Sequence, residues 1–170
     1  MSASTYIAWT QAMPTTSPIA TVATSAVSGT RKTLLQIRTG TSQKVRVIEW
    51  GYGFDTAPAN NVRMELLETG SVGATVTAHV AAGVMPYSDS GAPGSNVQLG
   101  TTHTGYNASA EGSITATRLL DFHYENGLFF KQQYPLGREP EVGADKFLRL
   151  CATPTSAAAV NMWAYIIWEE

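Results

Sequence analysis

Apolar and polar residues alternate with a period of two along most of this chain, and this pattern predicts β-strands. The clearest strand covers residues 44–55, where Val45 and Val47 share one face. The apolar phase then shifts by one residue, which predicts a β-bulge. The residues aligned after the shift are Ile48, Trp50, Tyr52 and Phe54. Gly51 and Gly53, on the opposite face, predict a close approach of a neighbouring segment to the backbone.

Further strand patterns recur between clusters of turn residues, at residues 34–38, 62–66, 74–80, 118–124, 128–131, 146–152 and 160–168. Two hairpins are predicted among them. One joins residues 118–124 to 128–131 through Asn126-Gly127, a pair that suits a type I′ turn, and the other joins the last two strands. About eight to ten strands with uneven loops predict an antiparallel all-β sandwich, with a jelly-roll as the expected topology.

The chain has 170 residues, which suits a single domain with one hydrophobic core. Residues 1–18 are predicted to form an extended arm, because Pro14 and Pro18 cannot donate a ladder hydrogen bond. Residues 81–112 are rich in Gly, Ala, Ser and Thr and are predicted to form a long loop region, irregular over residues 88–95. A loop of that length suggests a role in function or assembly.

The last strand is apolar on both faces. One face carries Val160, Met162, Ala164, Ile166 and Trp168, and the other carries Asn161, Trp163, Tyr165 and Ile167. A two-layer sandwich buries only one face of each sheet. The second face is therefore covered either by the domain itself or by another subunit, and the pattern leaves both open. The candidate subunit-interface residues are Trp163, Tyr165, Ile167, Trp50 and Tyr52.

Composition narrows the classes of function. Net charge is −2 and charged residues make up 14% of the chain, against roughly 25% in typical soluble domains. Thr and Ser lose little rotamer entropy when packed, so this surface is compatible with assembly. The basic residues are not clustered as nucleic-acid binding requires. No apolar run reaches the roughly 18 residues of a membrane span. Residues 1–12 have no basic region and are interrupted by polar residues, so we expect that they are not a signal peptide. We expect neither a membrane nor a nucleic-acid partner.

Candidate catalytic chemistry is sparse. Cys151 lies in an apolar run and is expected to be a buried, unreactive thiol. The histidines at 79, 103 and 123 have no companions at metal-ligand spacing. His123 and Asp121 share a strand face and are expected to form a structural hydrogen bond; a hydrolase centre built from both with Glu139 is the alternative. We expect no cofactor, no metal site and no enzymatic activity.

The segment 135–143 holds two carboxylates beside an arginine. Glu139 and Glu141 are two residues apart, a spacing that also raises the possibility of glycoside hydrolysis. Because Pro135 and Pro140 fix this loop, we interpret Arg138 as pairing with one of the carboxylates to lock it.

Three stretches together resemble a known family: KVRVIEWGYGFD (residues 44–55), PLGREPEVG (135–143) and MWAYIIWEE (162–170). The family consists of small proteins encoded beside the major capsid proteins of tailed bacteriophages of actinobacteria and related hosts. The resemblance covers the chain from about Ile37 onward and is weak over residues 70–112. It implies a jelly-roll cement protein without enzymatic activity, trimeric at capsid three-fold positions.

That resemblance implies a place on the exterior of the virion, with assembly in the host cytoplasm. The implied partners are the major capsid protein and further copies of the chain. The candidate capsid-contact residues are Tyr6, Trp9, Arg31 and Lys32. The alternative function is a carbohydrate-binding β-sandwich for host or surface adhesion, in which Trp9, Trp50, Trp163 and Trp168 would form a stacking platform.

Overall fold

The computed structural model describes residues 3–115, 117–125 and 127–170. Strands account for 47% of the chain and helix for 2%, and two antiparallel sheets pack against each other as a sandwich. The predicted antiparallel all-β sandwich is confirmed; the jelly-roll topology stays a prediction. The strands are β1 (Thr5–Trp9), β2 (Val22–Ala23), β3 (Lys32–Arg38), β4 (Val45–Phe54), β5 (Val62–Thr69), β6 (Thr75–Ala78), β7 (Met85–Pro86), β8 (Gly105–Ala110), β9 (Arg118–Glu125), β10 (Phe129–Gln133), β11 (Glu141–Val142), β12 (Phe147–Pro154) and β13 (Asn161–Glu169).

The strands divide between a front sheet and a back sheet. The front sheet has the order β10-β4-β13-β1-β7, with β11 added to β4 and β2 added to β13. The back sheet has the order β6-β8-β3-β12-β5-β9. A short 3₁₀ helix, Ala81–Gly83, precedes β7.

The main core lies between the two sheets. Its largest fully buried side chains from the front sheet are Trp50, Trp168, Tyr6 and Tyr52, and those from the back sheet include Leu35, Ile37, Met64 and Leu66. Each such side chain contributes about 1.5–3 kcal/mol when it leaves water. Alternation along β4, β5, β12 and β13 therefore fixes which face of each strand points inward.

The bulge predicted in β4 is present. Ile167 pairs with Glu49 and Trp168 pairs with Val47, so Ile48 is the extra residue. Val47 and Trp50 both point into the main core, whereas Ile48 packs in an outer cluster. The predicted alignment of Ile48 with Trp50 is wrong because the bulge turns Ile48 outward.

Both predicted hairpins are wrong. β9 belongs to the back sheet and β10 to the front sheet, and β12 and β13 are divided in the same way. The inward side chains of β9 and β10 face each other instead, with the ring centroids of His123 and Phe130 3.6 Å apart. Burial between the sheets thus overrides local turn chemistry. The predicted turn residue Asn126 lies outside the described residues.

The predicted N-terminal arm is wrong for Thr5–Trp9. This segment is β1, and it pairs with β13 on one side and β7 on the other. Tyr6 is only 2% exposed, and its hydroxyl donates to the carbonyl of Pro93 over 2.8 Å. Pro14 and Pro18 follow the strand and leave its ladder intact, and residues 10–18 form no strand.

The region 81–112 is more ordered than predicted, since it contains β7 and β8. Residues 88–95 do form an irregular loop, as expected. The Glu170 carboxylate holds the end of that loop, because it accepts hydrogen bonds from the Asn96 backbone N–H (2.8 Å) and from the Ser95 hydroxyl. Trp168 Nε1 donates to the same carboxylate over 3.0 Å.

Segments flanking β6 and β8 cover part of the back sheet's outer face. Arg149 is fully buried there, and its guanidinium donates to the carbonyls of Val72 and Glu111. Gln36 exchanges hydrogen bonds with the backbone of Ala74. These contacts bind the middle of the chain to β3 and β12.

Candidate functional site: the outer face of the front sheet

The outer face of the front sheet carries a second apolar cluster, separate from the main core. Ile7, Tyr165 and Ile167 form its buried centre. Half-buried apolar side chains surround that centre: Trp9, Ile48, Met85 and Trp163. An antiparallel sheet with one solvated face usually carries polar residues there, so this apolar face is a candidate interaction surface. We call it the front aromatic face.

Two glycines of β4 form the floor of this face. A Cβ at Gly53 would lie 2.3 Å from Trp163 Cζ2, and one at Gly51 would lie 2.8 Å from Tyr165 Cε1. The indole and phenol rings therefore lie directly over the β4 backbone. This confirms the close approach predicted from the two glycines, and the approaching atoms belong to side chains of β13.

Three aromatic rings are stacked across β1 and β13. The ring centroids of Trp9 and Tyr165 are 4.8 Å apart, and those of Trp9 and Trp163 are 6.1 Å apart. Trp163 and Tyr165 are nearly parallel, with an interplanar angle of 15°. Aromatic pairs at these distances add about 0.5–1.5 kcal/mol beyond the area they bury, so the rings form a rigid surface.

The charged groups beside the rings are paired. Glu49 is 5% exposed and accepts hydrogen bonds from the Tyr165 hydroxyl (2.6 Å) and Lys131 Nζ (3.0 Å). Burial and the neighbouring Glu49 carboxylate raise the pKa of Tyr165, so its phenol remains a donor. Because an unpaired charge is costly to bury, this arrangement suits contact with another protein surface.

The structure tests the candidate interface residues one by one. Trp163, Tyr165 and Ile167 do lie together on the front aromatic face. Tyr165 and Ile167 are already buried by neighbours within the single chain, so only the rim around them remains accessible. Trp50 and Tyr52 are wrong as interface residues, because both are fully buried in the main core.

The candidate capsid-contact residues do not form one surface. Tyr6 is wrong as a contact residue because it lies in the core, whereas Trp9 belongs to the front aromatic face. On the other side of the sandwich, Arg31 pairs with Glu65 at 3.1 Å. Lys32 Nζ donates to the carbonyl of Ala23 over 2.7 Å, and burial lowers the pKa of Lys32.

The predicted loop lock is wrong in its partners. Within the described residues, no ion pair joins Arg138 to Glu139 or Glu141. Glu141 pairs with Lys44 at 2.7 Å, and this interaction lowers the pKa of Glu141. Glu139 accepts a hydrogen bond from the backbone N–H of Gly137 over 2.7 Å. Pairing of β11 with β4 thus fixes the end of the loop.

The expected His123–Asp121 hydrogen bond is not formed, because Nε2 and Oδ1 are 3.8 Å apart. Asp121 Oδ2 instead accepts from Trp50 Nε1 (3.1 Å) and the Tyr134 hydroxyl (2.9 Å). Burial, followed by the Asp121 charge, raises the pKa of Tyr134. This carboxylate therefore links the back sheet to the front sheet across the open side of the sandwich.

In the part of the chain that the structure describes, no three His, Cys, Asp or Glu side chains come together as a metal-binding group. No helix there is both long and apolar enough to span a membrane. A cleft of about 290 Å³ between residues 55–62 and 154–161 has Asp55 as its one ionisable lining residue.

No protein-family model, curated protein or solved structure matches this chain. The front aromatic face is therefore identified by its geometry. Sequence reasoning missed Ile7, Trp9, Ile48 and Met85 as members of that face. Ile7 and Trp9 are two residues apart, a spacing that places both side chains on one face of a strand. The interpretation of residues 1–18 as an extended arm did not use this pattern.

Proposed function

We propose that this chain is a structural virion protein that binds the outer surface of a bacteriophage capsid and stabilises it as a homotrimer. The observation that carries the proposal is the front aromatic face, an apolar sheet surface with paired charges and no catalytic group among its members. In the trimer, the front aromatic face of each copy points towards the three-fold axis and contacts the other copies. The proposal includes the jelly-roll topology and the major capsid protein as partner.

The half-buried rim is the energetic basis of the association. Trp9 and Trp163 keep part of their large ring surfaces accessible, and aromatic anchors of this kind dominate the energy of protein interfaces. Rigid rings lose little conformational entropy when they are covered. Three copies joined in this way present three capsid-binding surfaces at once, so modest individual affinities combine into strong attachment.

The test is co-sedimentation of the purified protein with empty shells assembled from the major capsid protein of the same virus. We expect saturable binding in multiples of three copies and an increase in the temperature at which the shells disassemble. A double variant, Trp9→Gln with Trp163→Gln, should bind more weakly because it loses the trimer. Absence of wild-type binding to intact shells would overturn the proposal.

Carbohydrate binding is the second candidate, and the stacked rings favour it. Trp163 lies over the backbone of Gly53 and is half-buried, so part of its ring remains accessible to a sugar ring. The discriminating measurement is a glycan-array screen with the wild type and the Trp9→Gln variant. Glycan binding that the variant loses, together with no binding to shells, would replace the capsid proposal with adhesion.

A further inference from the structure

His79 is a buried histidine at the point where the chain passes from the back sheet to the front sheet. It is 3% exposed, whereas the other two histidines are half-buried. It follows β6, and its backbone N–H donates to the carbonyl of Thr104 over 3.1 Å. Its ring packs on the ring of Tyr106 in β8, with centroids 5.0 Å apart. The 3₁₀ helix Ala81–Gly83 and β7 follow directly.

The two ring nitrogens of His79 have different environments. Nε2 lies 3.0 Å from the carbonyl oxygen of Trp9, which can only accept, so Nε2 carries the proton and Nδ1 is the acceptor of the neutral ring. Nδ1 is buried and has no hydrogen-bond partner among the described residues. It faces Gly83, where a Cβ would lie 2.9 Å from it. The 3₁₀ helix therefore closes over an unpaired acceptor.

The neutral ring suits this environment and the protonated ring does not. The groups that face it are the Trp9 carbonyl, the Gly83 backbone and the Tyr106 phenol, and among the described residues no charged side chain acts on it. Burial lowers the pKa of His79, and the bond to the Trp9 carbonyl offsets only part of that effect. A proton on Nδ1 would be a buried donor without an acceptor, which is costly.

We propose that His79 is a pH-sensitive switch for the β7 edge of the front sheet. When Nδ1 takes up a proton from water, residues 81–87 move away from the ring, so that water can accept the new N–H. Nε2 donates in both protonation states, so the bond to Trp9 persists and β1 keeps its place. β7 is easily released, because it pairs with β1 at only two positions, Tyr6 with Pro86 and Ile7 with Met85.

Release of β7 changes the front aromatic face. Met85 belongs to that face and lies opposite Ile7, which is 6% exposed. Without Met85, the edge of the face is shorter and Ile7 becomes accessible. The switch acts within one chain, so it stands without the proposed function. In the proposed trimer it would make the contact between copies sensitive to acid.

The pH range follows from the direction of the pKa shift. In the open state His79 titrates near its ordinary value of about 6.5, and in the closed state it titrates at a lower pH. The closed state is therefore fully favoured above about pH 6.5. As pH falls below that value, the equilibrium constant for opening rises by at most about tenfold per pH unit, because one proton is taken up.

Hydrogen exchange at pH 7 and pH 5, corrected for the intrinsic rates, tests the switch. The Tyr87 N–H donates to the carbonyl of Thr5 over 2.8 Å and reports on the closed segment. Its protection should fall between pH 7 and pH 5 by a factor of up to roughly 30, whereas protection in β12 should not. His79→Gln keeps a donor for the Trp9 carbonyl but cannot gain a proton, so it should lose this response. His103→Gln is the matched control and should retain it.

An equal fall at Tyr87 in His79→Gln, or no fall in the wild type, would overturn the proposal. A fall that β12 shares would indicate global unfolding and would overturn it as well. Circular dichroism checks the folding of both variants. A second measurement needs no variant: an NMR titration of the wild-type His79 ring should give a pKa below about 6.5. A pKa at or above that value, as a new bond to the nearby Met13 carbonyl would produce, would refute the switch.

Discussion

Gly53 offers a direct test of the front aromatic face. The substitution Gly53→Ala adds one methyl group beneath the indole of Trp163, where a Cβ would lie 2.3 Å from Cζ2 and 2.5 Å from Cε2. Such distances are too short for carbon atoms, so the ring must move off the β4 backbone. We expect the variant to fold but to lose both stability and the ordered ring stack.

The expected loss follows from two opposing effects. A tryptophan side chain buries roughly 200 Å², and returning about half of that surface to water costs about 2.5 kcal/mol at 25 cal/mol/Å². Replacing a strand glycine by alanine gains roughly 0.5–1 kcal/mol in backbone entropy. The steric effect is larger, so we predict a net destabilisation of about 1.5–2 kcal/mol.

The assay is urea unfolding followed by circular dichroism, combined with a double-mutant cycle. In a Trp163→Ala background the ring is gone, so Gly53→Ala should become neutral or slightly stabilising. Gly94→Ala is the matched control, because a Cβ at Gly94 meets no atom within 4 Å. An equal loss of stability with and without Trp163 would refute the reasoning.

Three further predictions concern Arg149, Glu170 and Cys151. Arg149→Met removes the donors to the carbonyls of Val72 and Glu111, and urea unfolding should show a loss of about 2–4 kcal/mol; unchanged stability would contradict it. Glu170→Gln removes the charged acceptor at the end of the 88–95 loop, and hydrogen exchange at Asn96 N–H should accelerate, whereas exchange in β12 should not. Burial raises the pKa of the Cys151 thiol to about 12, against roughly 8.5 in the unfolded chain. The neutral buried thiol contributes its full stabilisation below pH 8.5, and this contribution falls as pH rises because the thiol ionises in the unfolded chain. Between pH 7 and pH 10 the free energy of unfolding should therefore fall by about 2 kcal/mol more in the wild type than in Cys151→Ala. Equal losses in urea unfolding would refute this.

Features set by neighbouring residues could be predicted from the sequence, whereas the pairing of strands through long-range packing could not. The strand β4, its bulge and the contacts over Gly51 and Gly53 were predictable, because alternation and glycine placement are local properties. Partner choice for β9 and β10 was not, since burial between the sheets decides it. The Asn126-Gly127 pair indicated a hairpin, but the inward side chains of the two strands assign them to different sheets.

The candidate site shows the same division. Alternation along β13 identified the outward residues Trp163, Tyr165 and Ile167. The contribution of β1 was missed because nearby prolines suggested an arm, although those prolines follow the strand. Burial of Arg149 could not be predicted from its own strand, because the carbonyls that satisfy it come from segments distant in sequence.

Sedimentation equilibrium tests the central claim most directly. The wild-type protein should sediment at three times the chain mass across a wide concentration range. The double variant Trp9→Gln with Trp163→Gln should be a folded monomer. A wild-type protein that is monomeric at all concentrations, or a trimer that persists after both tryptophan substitutions, would contradict assembly through the front aromatic face.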